Sequence, residues 1–117
     1  MFGRHAVCSQ PSALIIRSER DGCAHVIELV GELDMNTSHA LEDELRRVEG
    51  SDAKQIRVDL GALKSIGLDG LKVFIQAHAR SRCAGNRLLL LGASGRVRQT
   101  FETTGLLSRL PFESSRL

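Results

Sequence analysis

The chain has 117 residues, 42% hydrophobic and 26% charged, with Lys+Arg 16 against Asp+Glu 14 and a formal net charge of +2. This is the balance of one compact globular domain, and it excludes a two-domain enzyme, a disordered tail and a membrane span. So small a charge does not support sequence-independent phosphate binding, and aromatic residues at 3% offer no base-stacking platform, so direct nucleic-acid binding is not expected.

Residues 1–12 carry no periodicity and include Pro11, which predicts a disordered N-terminal arm ahead of a domain over residues 13–117. Leu14-Ile15-Ile16 and Val26-Ile27-Glu28-Leu29-Val30 are short β-branched runs. Between them Asp21-Gly22 supplies the positive φ of a tight turn, so the pair predicts an antiparallel hairpin. Leu41, Leu45 and Val48 then recur at helical spacing against a charged face, predicting a helix over about 38–49 that ends at Gly50, with Asn36, Thr37 or Ser38 as its cap. The run from Glu42 to Arg47 is read as a solvated face with helical ion pairs.

Ile56, Val58 and Leu60 alternate with Arg57 and Asp59 as a strand does, and Gly61 to Gly67 reads as a loop into a second helix. That helix is expected from Leu68 or Asp69 to Cys83, with Leu71, Phe74, Ile75, His78 and Ala79 inward, Lys72, Gln76 and Arg80 outward, and Gly85-Asn86 as the stop. Leu88 to Leu91 suits a strand buried on both faces. Gly92 to Gly95 is a loop, and a third helix follows over Arg96–Thr104 with Val97 and Phe101 inward and Gly105 beyond its end. The order is β-β-α-β-α-β-α, an α/β fold with a small mixed sheet and helices mainly on one side.

Catalytic and metal chemistry find little support. His5, His25, His39 and His78 fall on different elements without paired spacing, so no metal site is expected. Cys8, Cys23 and Cys83 are odd in number and lack a Cys-x-x-Cys spacing, which fits neither a disulfide framework nor zinc but suits a reducing compartment. Gly92-Ala93-Ser94-Gly95 lacks the lysine and spacing of a phosphate loop. No signal-like apolar run opens the chain and none long enough to cross a membrane follows, so a cytoplasmic protein without cofactor is expected.

The informative stretch is Ile66-Gly67-Leu68-Asp69-Gly70-Leu71 at the start of the second helix. A carboxylate at Asp69 can cap the orphan N–H groups of the first turn. Equally, negative charge there can be a signal that a partner protein reads, with exposed Leu68 as an apolar anchor beside it.

Gly31-Glu32-Leu33-Asp34, Val58-Asp59-Leu60, Asp69-Gly70-Leu71, Arg87-Leu88-Leu89-Leu90-Leu91-Gly92 and Thr104-Gly105-Leu106, in that order, resemble the STAS domain of bacterial anti-sigma factor antagonists over residues 13–112. In that family the helix opens with Asp-Ser-Ser-Gly-Leu, and its second serine is phosphorylated by the anti-sigma factor, a kinase of the GHKL type. The resemblance implies a non-enzymatic protein that captures the anti-sigma factor when unphosphorylated and releases it when phosphorylated. Here Gly67 stands for the leading aspartate and Asp69 for the phosphorylated serine. A carboxylate brings one charge, against about −1.5 to −2 for a phosphoserine. The chain is then locked in a released state, bound constitutively through a surface adapted to Asp69, or turned to another partner.

The resemblance also implies a partner surface over Asp34, Ser65, Ile66, Gly67, Leu68, Asp69, Gly70, Leu71 and Lys72. Ser65 is a candidate substitute phosphosite, with Thr37 or Ser38 further off, although a serine in a loop reads first as a turn residue; Asp34 matches a family position near the phosphosite and reads equally as a capping or turn residue. Two alternatives remain: an accessory subunit of a lipid or solute transport complex, which alone would bring the chain to a membrane, and a sensor that weakly binds a purine nucleotide.

Overall fold

A computed structural model describes residues 14–84, 87–93 and 95–112. The expected arm at residues 1–12 and the Gly85-Asn86 stop lie outside the described residues. The hairpin forms as expected: β1 (Leu14–Asp21) and β2 (Ala24–Leu33) pair antiparallel, Asp21 opposite Ala24, with Gly22 at φ +66° making the turn. Both strands run further toward that turn than their apolar runs suggest, because cross-strand pairing carries the polar residues along. Then follow α1 (Ser38–Glu49), β3 (Gln55–Ile66), α2 (Leu68–Ala84), β4 (Arg87–Leu91) and α3 (Gly95–Thr103).

The sheet order is β1-β2-β3-β4, with β2, β3 and β4 parallel, so this is the expected mixed α/β arrangement. Ile27, Leu29 and Leu33 of β2, Ile56, Val58 and Leu60 of β3, and Leu88 and Leu90 of β4 share one core. Leu41, Leu45 and Val48 of α1, Phe74 and Ala77 of α2, and Val97 and Phe101 of α3 complete it. Side chains alternate across a strand, so Val26, Glu28, Val30, Arg57, Asp59, Leu89 and Leu91 point to the other face, where they are only half-buried. This corrects the reading of Leu88 to Leu91 as buried on both faces: Leu89 and Leu91 are only half-buried, and no helix among the described residues covers the second face of β4.

Two further expectations are overturned. Gly61 to Ile66 is strand, not loop. Glu28 pairs with Asp59, but Val30 pairs with Ala62 and Glu32 with Ser65, so β3 carries an extra residue at each of two bulges. Each bulge flips the inward set, which is why Leu60, Leu63 and Ile66, three apart, all reach the core. That spacing does not read as a strand. At the first bulge Gly61 N donates to Asp59 Oδ1 at 2.9 Å.

The second correction concerns the rotation of α2. Ile75 is 42% exposed and Ala79 is exposed, whereas Gly70, Val73, Ala77 and Ser81 are buried beside Leu71 and Phe74. The helix is turned by about one residue from its expected orientation. Gly70 explains it: a Cβ there would lie 2.7 Å from Leu33 Cδ2, so the bare backbone of α2 rests directly on β2. A contact line of small residues gives hydrophobic periodicity nothing to detect.

Arg80, expected on the outer side, is half-buried and reaches across to α1, where its Nε and Nη2 donate to the two carboxylate oxygens of Glu49 at 2.8 and 3.0 Å. The Glu42–Arg47 run behaves as expected, with Glu42–Arg46 and Glu44–Arg47 ion pairs along α1.

Candidate functional site

The end of β2 and the start of α2 meet at one corner of the sheet. Gly67 N donates to Leu33 O at 2.8 Å, and Gly67 O accepts from Leu71 N at 3.1 Å. Gly67 is therefore the residue from which α2 starts, and Asp69 lies inside the first turn. This corrects the capping alternative: the Asp69 carboxylate makes no hydrogen bond or ion pair among the described residues, and it is half-exposed. Negative charge there is favoured by the partial positive charge of the helix start.

Asp34 shapes the other side of the corner. Its Oδ1 accepts from Asn36 N at 2.9 Å and Thr37 N at 3.2 Å, while its carbonyl accepts from Ser38 N at 2.8 Å. The Thr37 hydroxyl donates to Glu32 O at 2.9 Å and accepts from Asp34 N at 2.9 Å. This carboxylate and hydroxyl replace a conventional side-chain cap and fix the turn into α1. Asp34 is thus committed to the turn. A Cβ on Gly67 would sit 3.8 Å from Asp34 Cα, so the β2–α1 turn and the start of α2 are in contact.

Two large apolar side chains stand out from this corner, Leu68 at 66% exposed and Met35 at 67%. Leu68 is where the sequence places it. Met35 is not in the expected set, because an isolated apolar residue in a turn has no periodicity; its sequence signal is a methionine between the turn-formers Asp34 and Asn36. Lys72, one turn along α2 from Leu68, is exposed.

The remaining expected residues divide. Ile66, Gly70 and Leu71 are buried and pack the helix onto the sheet, so they support the surface without forming it. Ser65 is half-buried within β3, opposite Glu32, and not in a loop. Thr37 and Ser38 are buried, at 6% and 7% exposed, which removes them as accessible phosphosites. The surface that remains is Met35, Leu68, Asp69 and Lys72: two apolar groups, one unpaired carboxylate and one cation. It has no nucleophile paired with a base, and binding is the chemistry it can do.

Comparison with known proteins identifies the family. The family model of the STAS domain matches residues 15–116. This chain belongs to the STAS family. The anti-sigma-B factor antagonist of Listeria monocytogenes is 32% identical over 88 residues, covering 75% of this chain and 77% of that protein. The crystal structure of an anti-sigma factor antagonist from Mycobacterium paratuberculosis superposes with a TM-score of 0.80 at 23% identity, covering 92% of each chain. SpoIIAA, an anti-sigma factor antagonist solved in its unphosphorylated form, gives 0.73 at 19% identity over 86% of this STAS chain and 90% of its own. The expected fold, order β-β-α-β-α-β-α, is the SpoIIAA-like STAS fold.

Proposed function

We propose that this STAS protein is an anti-sigma factor antagonist that acts by binding, without catalysis, and that it docks an anti-sigma factor of the GHKL kinase type on the Met35–Leu68–Asp69–Lys72 corner. The observation that carries this reading is two exposed apolar side chains at the corner together with a carboxylate that has no hydrogen bond or ion pair among the described residues. Apolar anchors beside a fixed charge are what a protein partner recognises. The names of the relatives support an anti-sigma factor as the partner, and the GHKL kinase type is what the family resemblance implies.

SpoIIAA exists also in a phosphorylated form. On the family resemblance the corresponding position of this chain is read as Asp69, which has no hydroxyl to accept a phosphoryl group. One permanent charge in place of a switchable phosphate makes the complex constitutive, with the partner surface adapted to a carboxylate. Control then lies in the supply of the protein. No helix among the described residues is long and apolar enough to cross a membrane.

The test is calorimetric binding to a purified GHKL-type anti-sigma kinase from the same source, with and without ATP. Wild type is expected to bind equally under both conditions, Leu68→Ser to bind at least about tenfold more weakly, and Asp69→Ser to become a phosphorylation substrate. Absence of binding to any such kinase, with recovery of transport-complex subunits or saturable binding of a purine nucleotide instead, would overturn the reading.

A further inference from the structure

The two edges of the sheet are not alike. At β4, Leu90 N donates to Pro111 O at 3.0 Å and Leu90 forms a parallel bridge with Phe112, so the chain's own C-terminal region closes part of that edge. At the other edge, β1 pairs with β2 on one side and has no strand on its outward side among the described residues. An eight-residue strand whose outward row of N–H and C=O groups meets no other strand among the described residues is a template for another strand.

Charges on an edge normally discourage such pairing. Here they alternate in sign. Arg17 and Glu19 point to the open face of the sheet, since Arg17 is opposite Glu28 and Glu19 opposite Val26. We propose that two copies of this chain pair antiparallel along β1, about a two-fold axis at Ser18, to form one continuous sheet across a homodimer. This register sets Arg17 of each copy against Glu19 of the other, so two opposite-charge pairs form by symmetry. Arg17 already reaches Glu28 at 3.9 Å and would lie between two carboxylates. On the helix side, Ile16 meets the aliphatic stem of Arg20, whose Nη2 is held 2.8 Å from Asp52.

Neighbouring registers are worse. An axis at Arg17 brings the two Arg17 side chains together, and an axis at Glu19 does the same to the two glutamates, and like charges directly opposite repel. Because among the described residues only the β1 edge offers a fully open strand, the contact is isologous and the assembly stops at two copies. The corner bearing Leu68 and Met35 plays no part in this contact, so the proposal stands independently of the proposed function.

Sedimentation equilibrium of the full chain over a concentration series at low salt tests it. Wild type is expected to show a reversible monomer–dimer equilibrium that weakens as salt is added. Arg17→Glu and Glu19→Arg should each raise the dissociation constant about tenfold or more, and the double reversal should return it to within about threefold of wild type. Both residues are exposed, so circular dichroism should show each variant folded. A wild type that stays monomeric throughout, single reversals that dimerise like wild type, or a double reversal as weak as the singles would each overturn the proposal.

Discussion

At the residue scale, two glycines show how little room the fold leaves. Gly70 has Leu33 Cγ and Cδ2 at 2.7 Å and Ile66 Cγ1 at 3.0 Å from the place a Cβ would occupy, so Gly70→Ala must push α2 off β2. The helix-propensity gain of an alanine, about 1 kcal/mol, is outweighed by overpacking of about 1–3 kcal/mol. A net loss of stability in urea denaturation is expected, although the same substitution on an open helix face would stabilise. Gly92 combines φ +79° with a would-be Cβ 2.9 Å from Asp59 Oδ1, so backbone strain and crowding act together there. Leu68 is the contrast. Its side chain is mostly in water, and Leu68→Ser should change folding stability by no more than about 0.5 kcal/mol while weakening partner binding.

At the element scale, α1 is tied to its neighbours by polar contacts that can be tested separately. The Glu49–Arg80 pair joins α1 to α2 in a two-pronged geometry, with side chains 15% and 24% exposed, and the hydrogen bond to Glu49 raises the Arg80 pKa. A double-mutant cycle with Glu49→Gln and Arg80→Met should give a coupling of about 1–2 kcal/mol, above the ordinary surface pair because the fork is partly shielded from water. At the hairpin, His25 contacts the Ser18 hydroxyl through Nε2, while its buried Nδ1 has no hydrogen-bond partner among the described residues. Burial, then the Arg47 and Arg20 charges, hold its pKa below the ordinary 6.5, with Glu44 opposing them. The fold therefore prefers neutral His25. Its contribution is fully present above pH 6.5 and is lost as pH falls from there through the lower folded-state value. Urea midpoints measured from pH 7.5 down to pH 5 should decline more for wild type than for His25→Gln; equal slopes would exclude His25 as the cause.

At the scale of the whole molecule, α2, α3 and the C-terminal residues are joined through Phe101. Its ring lies 6.3 Å from that of Phe74 and 4.9 Å, edge-on, from that of Phe112. Phe101→Ala should cost about 3–5 kcal/mol, a large part of the 5–15 kcal/mol typical of a whole domain, and should lower the urea midpoint in a single cooperative transition. The order of elements was legible from sequence because each announces itself locally: Asp21-Gly22 as a turn, Leu41-Leu45-Val48 as a helix face, Ile56-Val58-Leu60 as a strand. The aspartate at position 69, which carries no hydroxyl, is likewise a fact of sequence alone. What the sequence could not determine were relations between elements distant along the chain. The bulges of β3 exist only against the register of β2, and the rotation of α2 was set by Gly70 resting on Leu33, some forty residues earlier. For the same reason only the tertiary structure brought the turn that carries Met35 against the start of α2, and only it showed that the Asp69 carboxylate has no hydrogen bond or ion pair among the described residues. Hydrophobic periodicity reports how one segment meets water; it carries no information about which small residue permits close approach or which polar group goes without a partner.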